Sequence, residues 1–393
     1  MKTRNSMKVS TMIAAIGVSS LFSINVSADN KGKFYGDFRL RYESVQQDNA
    51  LTDADALTLR SRLGYKTPTK NGFSGLIEVE NNTALIDNYS LPPVGLNPSQ
   101  FSVIADPDSH TELDQLFLRY KAKGFDAKIG RQVLTRQGQR FIGHVGFRQD
   151  RQTFDALNFA YSPNKKLSLS YAYINKRNRI FSNELDIDSK DHLLDASFKI
   201  GPGKLKPYVY LLEVDNGTEN SLDTFGVSYS GKAKGFSYKA EFARQEANDT
   251  FDANYLALEA GKKIGKVNIK VGFESLGSDN GNFGFSTPLA TLHKFNGFAD
   301  QFLGTPAQGL QDVYVKLSGK VAGGKWLAAY HDFSSDESLA GVDDLGSELN
   351  LVYARKFGKN YSGGIKYADY NAGDAAFGKV DTDKLWLWAG AKF

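Results

Sequence analysis

Apolar and polar residues alternate along most of this chain, from residue 34 to its last residue. Within residues 57–65 the apolar side chains occupy odd positions, whereas Thr58, Arg60 and Arg62 occupy even positions. Because successive side chains of a β-strand point to opposite faces, this period of two predicts strands with one apolar and one charged face. The same alternation occurs in residues 34–45, 167–173, 236–242, 267–274, 312–318 and 348–353.

The connections between these segments alternate in length. The short ones include residues 67–72, 122–124 and 358–360, and the long ones include residues 84–110, 135–150, 175–190, 277–308 and 334–346. Short turns at one end, long loops at the other and a charged inner face are typical of outer-membrane barrels with a water-filled lumen. The sequence therefore predicts an all-β fold, a transmembrane antiparallel up-and-down β-barrel of about 18 strands.

Aromatic residues flank the short turns, as Tyr65 and Phe73 do around one of them. Rings at that level form the interfacial girdle of a barrel. The last predicted strand alternates up to a terminal Phe393, which resembles the assembly signal of bacterial outer-membrane barrels. Trp386 and Trp388 fall on the opposite face of this strand, so they are predicted to line the lumen unless the register slips.

The first 28 residues have the features of a secretory signal peptide. A basic start precedes an apolar stretch over residues 12–24 and a cleavage site of the A-x-A type at residues 26–28. We therefore predict a cleaved signal peptide at residues 1–28 and one barrel domain at residues 29–393. Cleavage removes three positive charges and lowers the formal net charge from +4 to +1, which argues against a nucleic-acid partner.

Residue patterns that carry chemistry are sparse. The sequence contains no cysteine, which excludes disulfides, thiolate metal sites and a cysteine nucleophile. Its five histidines have neither the spacing of metal ligands nor a nucleophile beside them. We therefore predict no catalytic residue, no enzymatic activity, no cofactor and no metal site, and paired loop acids such as Asp186 and Asp188 are interpreted as solvated charges rather than calcium ligands.

Three blocks of sequence have a recognisable order. They are residues 129–155, with the strings IGRQ, GQR and QTFD; residues 293–311, from HKF to LQ; and residues 344–352, DLGSELNLV. These blocks resemble, in the same order, those of the bacterial alginate-export outer-membrane porins. The resemblance implies an 18-stranded monomeric barrel whose electropositive pore attracts the carboxylates of a polyuronate chain. The loops are shorter than those of the secretion porin that names the family, so uptake of oligosaccharides or other small anions is an alternative.

The residues predicted to line the pore and bind the solute are mostly arginines, because a planar guanidinium binds carboxylates bidentately and stays protonated. Alternation places six cations on the inner face: Arg39, Arg41, Arg60, Arg62, Arg119 and Lys239. Arg131 matches the arginine of the family's G-R-Q motif. Counting along its strand directs it outward, so we expect it near the outer rim or behind a bulge.

Four more arginines crowd the connection that follows: Arg136, Arg140, Arg148 and Arg151. Folded into the lumen, a loop this basic would form a constriction with fixed positive charge. The alternative is that these arginines pair with acids of the barrel wall and stabilise it. The candidate partners are Asp37, Glu43, Glu78, Glu80 and Asp155.

Together with this resemblance, the patterns predict a porin for passive diffusion of anionic solutes through an arginine-rich lumen, and the resemblance implies an acidic oligo- or polysaccharide such as alginate. The alternatives are a general or small-carboxylate-selective porin, a barrel enzyme and a secreted soluble β-protein. The predicted location is the outer membrane of a Gram-negative bacterium. We expect a monomer whose partners are the solute, outer-membrane lipid and lipopolysaccharide, and the barrel-insertion machinery.

Overall fold

The computed structural model describes residues 31–106 and 109–393, so the predicted signal peptide lies outside the described part of the chain. Eighteen antiparallel strands form one closed sheet, which confirms the predicted all-β barrel and its strand number. Each strand pairs with its neighbours along the chain, and the first strand pairs with the last. A closed ring of this kind leaves no unpaired edge.

The described residues form twenty strands, of which β14 and β15 form a small hairpin inside a loop and the others form the barrel. The strands are β1 (Lys33–Gln47), β2 (Ala54–Lys66), β3 (Phe73–Asn88), β4 (His110–Ala122), β5 (Phe125–Gln132), β6 (Thr153–Asn164), β7 (Leu167–Asn178), β8 (Ile187–Ile200), β9 (Gly203–Leu212), β10 (Leu222–Ala233), β11 (Phe236–Ala247), β12 (Phe251–Ile264), β13 (Val267–Leu276), β14 (Ser278–Asp279), β15 (Phe283–Gly284), β16 (Leu310–Val321), β17 (Gly324–Leu339), β18 (Val342–Phe357), β19 (Tyr361–Asn371) and β20 (Thr382–Lys392). Short 3₁₀ turns occur at Pro92–Val94, Gln137–Gln139, Asn183–Leu185, Leu292–Lys294 and Ala375–Phe377. Among the residues described, no helix has the length and apolar character needed to cross a membrane.

Short turns and long loops lie at opposite ends of the barrel, as predicted. The largest connections at the long-loop end are residues 89–109, 133–152 and 277–309. The expected loop at residues 334–346 was wrong, because β17 and β18 extend through most of it and meet at a two-residue turn. These strand ends carry polar residues on both faces, since a strand that projects beyond the apolar band into water needs no apolar face.

The outer face of the barrel is apolar. Leu63, Leu118 and Ile129 expose 55%, 67% and 60% of their surface on this face. Aromatic rings gather at the short-turn end, where the ring centres of Phe73 and Tyr120 lie 4.8 Å apart. An apolar belt with an aromatic border is the surface that a bilayer requires, and the predicted aromatic girdle is present.

The largest buried apolar cluster lies inside the barrel, where loops pack against the inner wall. The ring centre of Phe141, in the 133–152 connection, is 5.5 Å from that of Tyr255 on β12. Trp386 is fully buried beside Phe147, so it faces the lumen and the register of β20 does not slip. The barrel is therefore partly filled by its own loops, as expected for a barrel wide enough to hold a channel.

Candidate functional site: the narrowed lumen

Two long loops fold into the lumen and interlock there. We call residues 133–152 the first inserted loop and residues 277–309 the second inserted loop. The backbone N–H of Gly143 donates to the carbonyl oxygen of Leu289 at 2.8 Å. A side chain at Gly143 would collide with Thr291, so this close approach requires glycine. The two loops therefore narrow the lumen together, and the first of them contains the four arginines from which the sequence predicted a constriction.

Two arginines of the first inserted loop anchor it. Arg140 Nε donates to Glu274 Oε1 at 2.7 Å, and Arg148 lies between Asp300 and Glu43. Burial alone would lower the pKa of Arg148, but Asp300 and Glu43 outweigh it and raise that pKa above its ordinary value. Both arginines were predicted to line the pore, and the structure corrects this: they are buried in ion pairs and face no open space.

The other two arginines of this loop differ from each other. Arg151 contacts Glu78 and also donates from Nε to Asp114 Oδ1 at 2.9 Å, so it is held against the wall. Arg136 Nε donates to Asp195 Oδ2 at 2.8 Å, and its side chain borders a cavity of about 270 Å³. Arg136 therefore remains in contact with the open lumen, whereas the charge of Arg151 is paired with carboxylates of the wall.

The four arginines of β1 and β2 face inward, as predicted, but they meet acids of the wall or the first inserted loop rather than an open passage. Three of them form ion pairs: Arg41 with Glu43 and Asp106, Arg60 with Asp37, and Arg62 with Glu80 and Asp114.

Arg39 instead donates to Gln149 Oε1 at 2.8 Å and to the carbonyl oxygens of Phe147 and Arg148 at 2.8 and 2.6 Å. It forms no ion pair with any described residue. The alternative of wall stabilisation therefore describes most of this group.

Arg131 lies on the outer wall, on the face that its neighbour Ile129 exposes. Its Nε donates to Asp155 Oδ1 at 2.8 Å, and this pairing offsets the cost of a charge on the apolar side, about 2–4 kcal/mol for an unpaired arginine at the midplane. The residue count along β5 was correct, and the structure corrects the prediction that Arg131 lines the pore. Arg119, on the inner face, pairs with Asp126 at 2.7 Å.

The open space in the lumen is lined mainly by lysines, most of which were not among the residues predicted from sequence. A cavity of about 640 Å³ borders both inserted loops, and its lining includes Lys239, Lys270, Lys294 and Lys316. Lys239, which was predicted, pairs with Glu241 at 2.6 Å. Lys294 and Lys316 form no ion pair with the described residues: Lys294 Nζ donates to the carbonyl oxygen of Gly138 at 2.7 Å, and Lys316 Nζ lies 4.0 Å from the ring centre of Tyr314.

The passage continues towards the short turns. A cavity of about 810 Å³ shares Ser318 and Leu327 with the previous one, and Lys263, Lys266, Lys320 and Lys325 line it without any aspartate or glutamate. Two more cavities, of about 270 and 490 Å³, share Ser168 and Ser197. The four cavities are lined by four, four, two and four lysines or arginines, fourteen in all, against four carboxylates. We call them the lysine-lined passage.

A closed eighteen-stranded barrel with an apolar belt and a lumen narrowed by its own loops defines an outer-membrane channel of the porin type. The chain belongs to the alginate export family, whose family model matches residues 31–273. It is accordingly a porin of the bacterial outer membrane and a channel rather than an enzyme, which confirms the predicted class and location.

Solved outer-membrane proteins share this fold. OccAB4 of Acinetobacter baumannii matches with a TM-score of 0.71 and 15% identity, covering 92% of this chain and 98% of that chain. OccK5 (OpdH) of Pseudomonas aeruginosa matches with a TM-score of 0.68 and 13% identity over 92% and 98% of the two chains. OpdK of Pseudomonas aeruginosa gives 0.69 and 11% over 92% and 98%. At these identities the likeness concerns the fold. A comparison with curated protein sequences finds no match.

Proposed function

We propose that this porin conducts anionic solutes, and specifically acidic saccharide chains or fragments of the alginate type, along the lysine-lined passage. The observation that carries the proposal is the cavity of about 810 Å³ that four lysines line with no carboxylate among them. Fixed charge of one sign between low-dielectric walls concentrates counter-ions and favours their entry. A carboxylate on each sugar unit gives a polyuronate the matching charge.

The chemistry of lysine suits conduction better than tight binding. An ammonium is a compact and strongly hydrated charge on a flexible stem, so it attracts a carboxylate without the bidentate geometry that arginine imposes. A channel needs sites that are favourable enough to admit the solute and weak enough to release it. Lys294 and Lys316 lie beside the constriction, and the lysines nearer the short turns would receive a chain that has passed it.

Single-channel recording in planar bilayers tests this proposal. Under a salt gradient the reversal potential should indicate preference for anions, and oligoalginate added to one side should block the current in a concentration-dependent way. The triple variant K263Q/K320Q/K325Q should lose a large part of both effects. The matched control K123Q/K234Q/K359Q removes the same charge from the tips of short turns and should leave both unchanged.

Two outcomes would redirect the assignment. Anion preference without block by oligoalginate would remove the polyuronate and favour the alternative, a porin for small carboxylates. Conductance with no ionic preference, unaffected by the triple variant, would favour a general porin and contradict the proposed role of the lysines.

A further inference from the structure

A group of buried acids on β3, β4 and the first inserted loop is not explained by the channel. Glu80 lies directly opposite Glu112, and Asn82 lies directly opposite His110, where β3 pairs with β4. Asp150 reaches this group from the loop, with Oδ2 at 3.2 Å from His110 Nε2. Asp150 and Asn82 are 0% and 1% exposed, whereas the side chain of His110 keeps 13% of its surface exposed, so the acids are buried and only His110 reaches solvent. Like charges placed directly opposite each other are destabilising in a bare sheet.

Much of the hydrogen-bonding capacity of the group is unused. Among the described residues, neither ring nitrogen of His110 and neither amide atom of Asn82 has a hydrogen-bond partner, and within the group Asp150 contacts only His110 and Glu112. Within the described part of the chain, Glu112 and Asp150 also form no ion pair with lysine or arginine. Buried charges normally pair or coordinate a metal, because an isolated carboxylate loses its hydration without compensation.

We propose that His110, Glu112 and Asp150 bind a divalent first-row cation, with Zn²⁺ the best match. One ligand atom from each of the three residues lies within 4.8 Å of the others, a spacing that a single ion can draw together. An imidazole nitrogen with two carboxylate oxygens is a donor set that suits Zn²⁺, whereas Ca²⁺ and Mg²⁺ prefer oxygen alone. The amide oxygen of Asn82, buried on the same face, is placed to serve as a further ligand or to hold a bound water.

The metal would add a further link between the wall and the end of the first inserted loop, which Arg148 and Arg151 already hold to wall carboxylates. His110 and Glu112 belong to the wall, and Asp150 belongs to the end of the first inserted loop. An ion bound by all three would fix the position of that end of the loop against β4. The site is separate from the lysine-lined passage, so this inference stands independently of the solute proposed above.

Isothermal titration of the full-length mature protein, stripped with a chelator and kept in detergent, tests the site. Zn²⁺ should bind at one equivalent and raise the unfolding temperature, because a ligand that binds only the folded state stabilises it. H110Q and D150N should each weaken binding at least tenfold. The control variants H192Q and D188N make the same chemical changes elsewhere on the barrel and should leave binding unchanged.

A second measurement distinguishes loss of metal binding from misfolding of the variant. Without metal, D150N should retain its β circular dichroism and unfold at or above the temperature of the unaltered protein, because it removes an uncompensated buried charge. Absence of one-equivalent binding to the unaltered protein, or binding that D150N leaves intact, would overturn the proposal. Binding of Ca²⁺ in preference to Zn²⁺ would overturn the assignment of His110 as a ligand.

Discussion

Arg39 lies directly opposite Arg60 where β1 and β2 pair, yet the two guanidinium groups have different kinds of partner. Arg60 Nη2 donates to Asp37 Oδ1 at 2.7 Å, whereas Arg39 donates to oxygens of the first inserted loop. Carbonyl dipoles therefore take the place of a carboxylate for Arg39. Arg39 was predicted from sequence to bind an anionic solute, but in the structure its hydrogen bonds hold the first inserted loop against β1.

Removing the guanidinium group of Arg39 should make the first inserted loop more mobile. We expect R39Q to lower the free energy of unfolding by roughly 2–3 kcal/mol, because charged donors contribute more than neutral ones and the loop carbonyls lose their partner. Fluctuations of the open-channel current should increase. The control R119Q breaks a partly exposed pair and should cost less than about 1 kcal/mol. Quiet channels in R39Q would contradict the assigned role.

Separating the two inserted loops should widen the pore. G143A places a methyl group against Thr291, so we expect the hydrogen bonds between the loops to break and the single-channel conductance to rise. G304A is the matched control, since a methyl group at Gly304 in the second inserted loop meets no atom within 4 Å. Equal conductance in G143A and the unaltered protein would mean that the loops do not limit the current.

The charge of Asp300 should make the constriction sensitive to strong acid. Burial alone would raise the pKa of Asp300, but Arg148, His293 and Lys384 outweigh it and hold the pKa well below its ordinary value. A carboxyl group whose pKa is depressed on folding contributes stability in full above its unfolded pKa of about 3.9 and loses it as the pH falls through the folded value.

We therefore expect the unfolding temperature of D300N to lie below that of the unaltered protein by a constant amount between pH 5 and 7, and the difference to shrink below about pH 4. Thermal unfolding followed by circular dichroism across this pH range measures it. A difference that grows on acidification would show that Asp300 is not the stabilising charge.

Loss of the last residue should weaken the seam of the barrel. The backbone of Phe393 exchanges two hydrogen bonds with Gly36, at 3.2 and 3.1 Å, and its ring lies 5.9 Å from that of Phe38. Deletion of Phe393 should reduce the amount of folded protein recovered from outer membranes, measured against F357A, which removes an exposed ring from the end of β18. Normal recovery would show that the seam tolerates the loss.

The strands and their faces could be predicted from sequence because the surroundings impose a period of two on every strand. The alternation predicted Arg60 and Lys239 as inward and Arg131 as outward, and each is found there. The polar ends of β17 and β18 were missed because that period ends where a strand leaves the apolar belt, although the strand itself continues.

Alternation could not predict whether an inward cation is paired with a carboxylate or free to meet a solute. Arg140 is neutralised by Glu274 of β13, and Arg148 by Asp300 of the second inserted loop. These partners lie more than a hundred residues away and meet the arginines only after the first inserted loop has folded inward. A pattern of neighbouring residues contains no information about such pairs. Some lysines of the passage could have been predicted from sequence, because alternation also places Lys316 on the inner face. The prediction instead favoured arginines for their affinity for carboxylates, and most of those arginines are paired in the structure.

The two halves of the constriction leave the barrel at distant points of the chain, after β5 and after β13. Neither loop can find its final contacts until most of the strands between them are ordered, and contacts of such long range form late. A newly closed barrel is therefore expected to exist briefly as a bare, unobstructed hole. The permeability of the cell envelope then depends on how fast the loops dock after insertion, and the hydrogen bond between Gly143 and Leu289 can form only when both loops are in place.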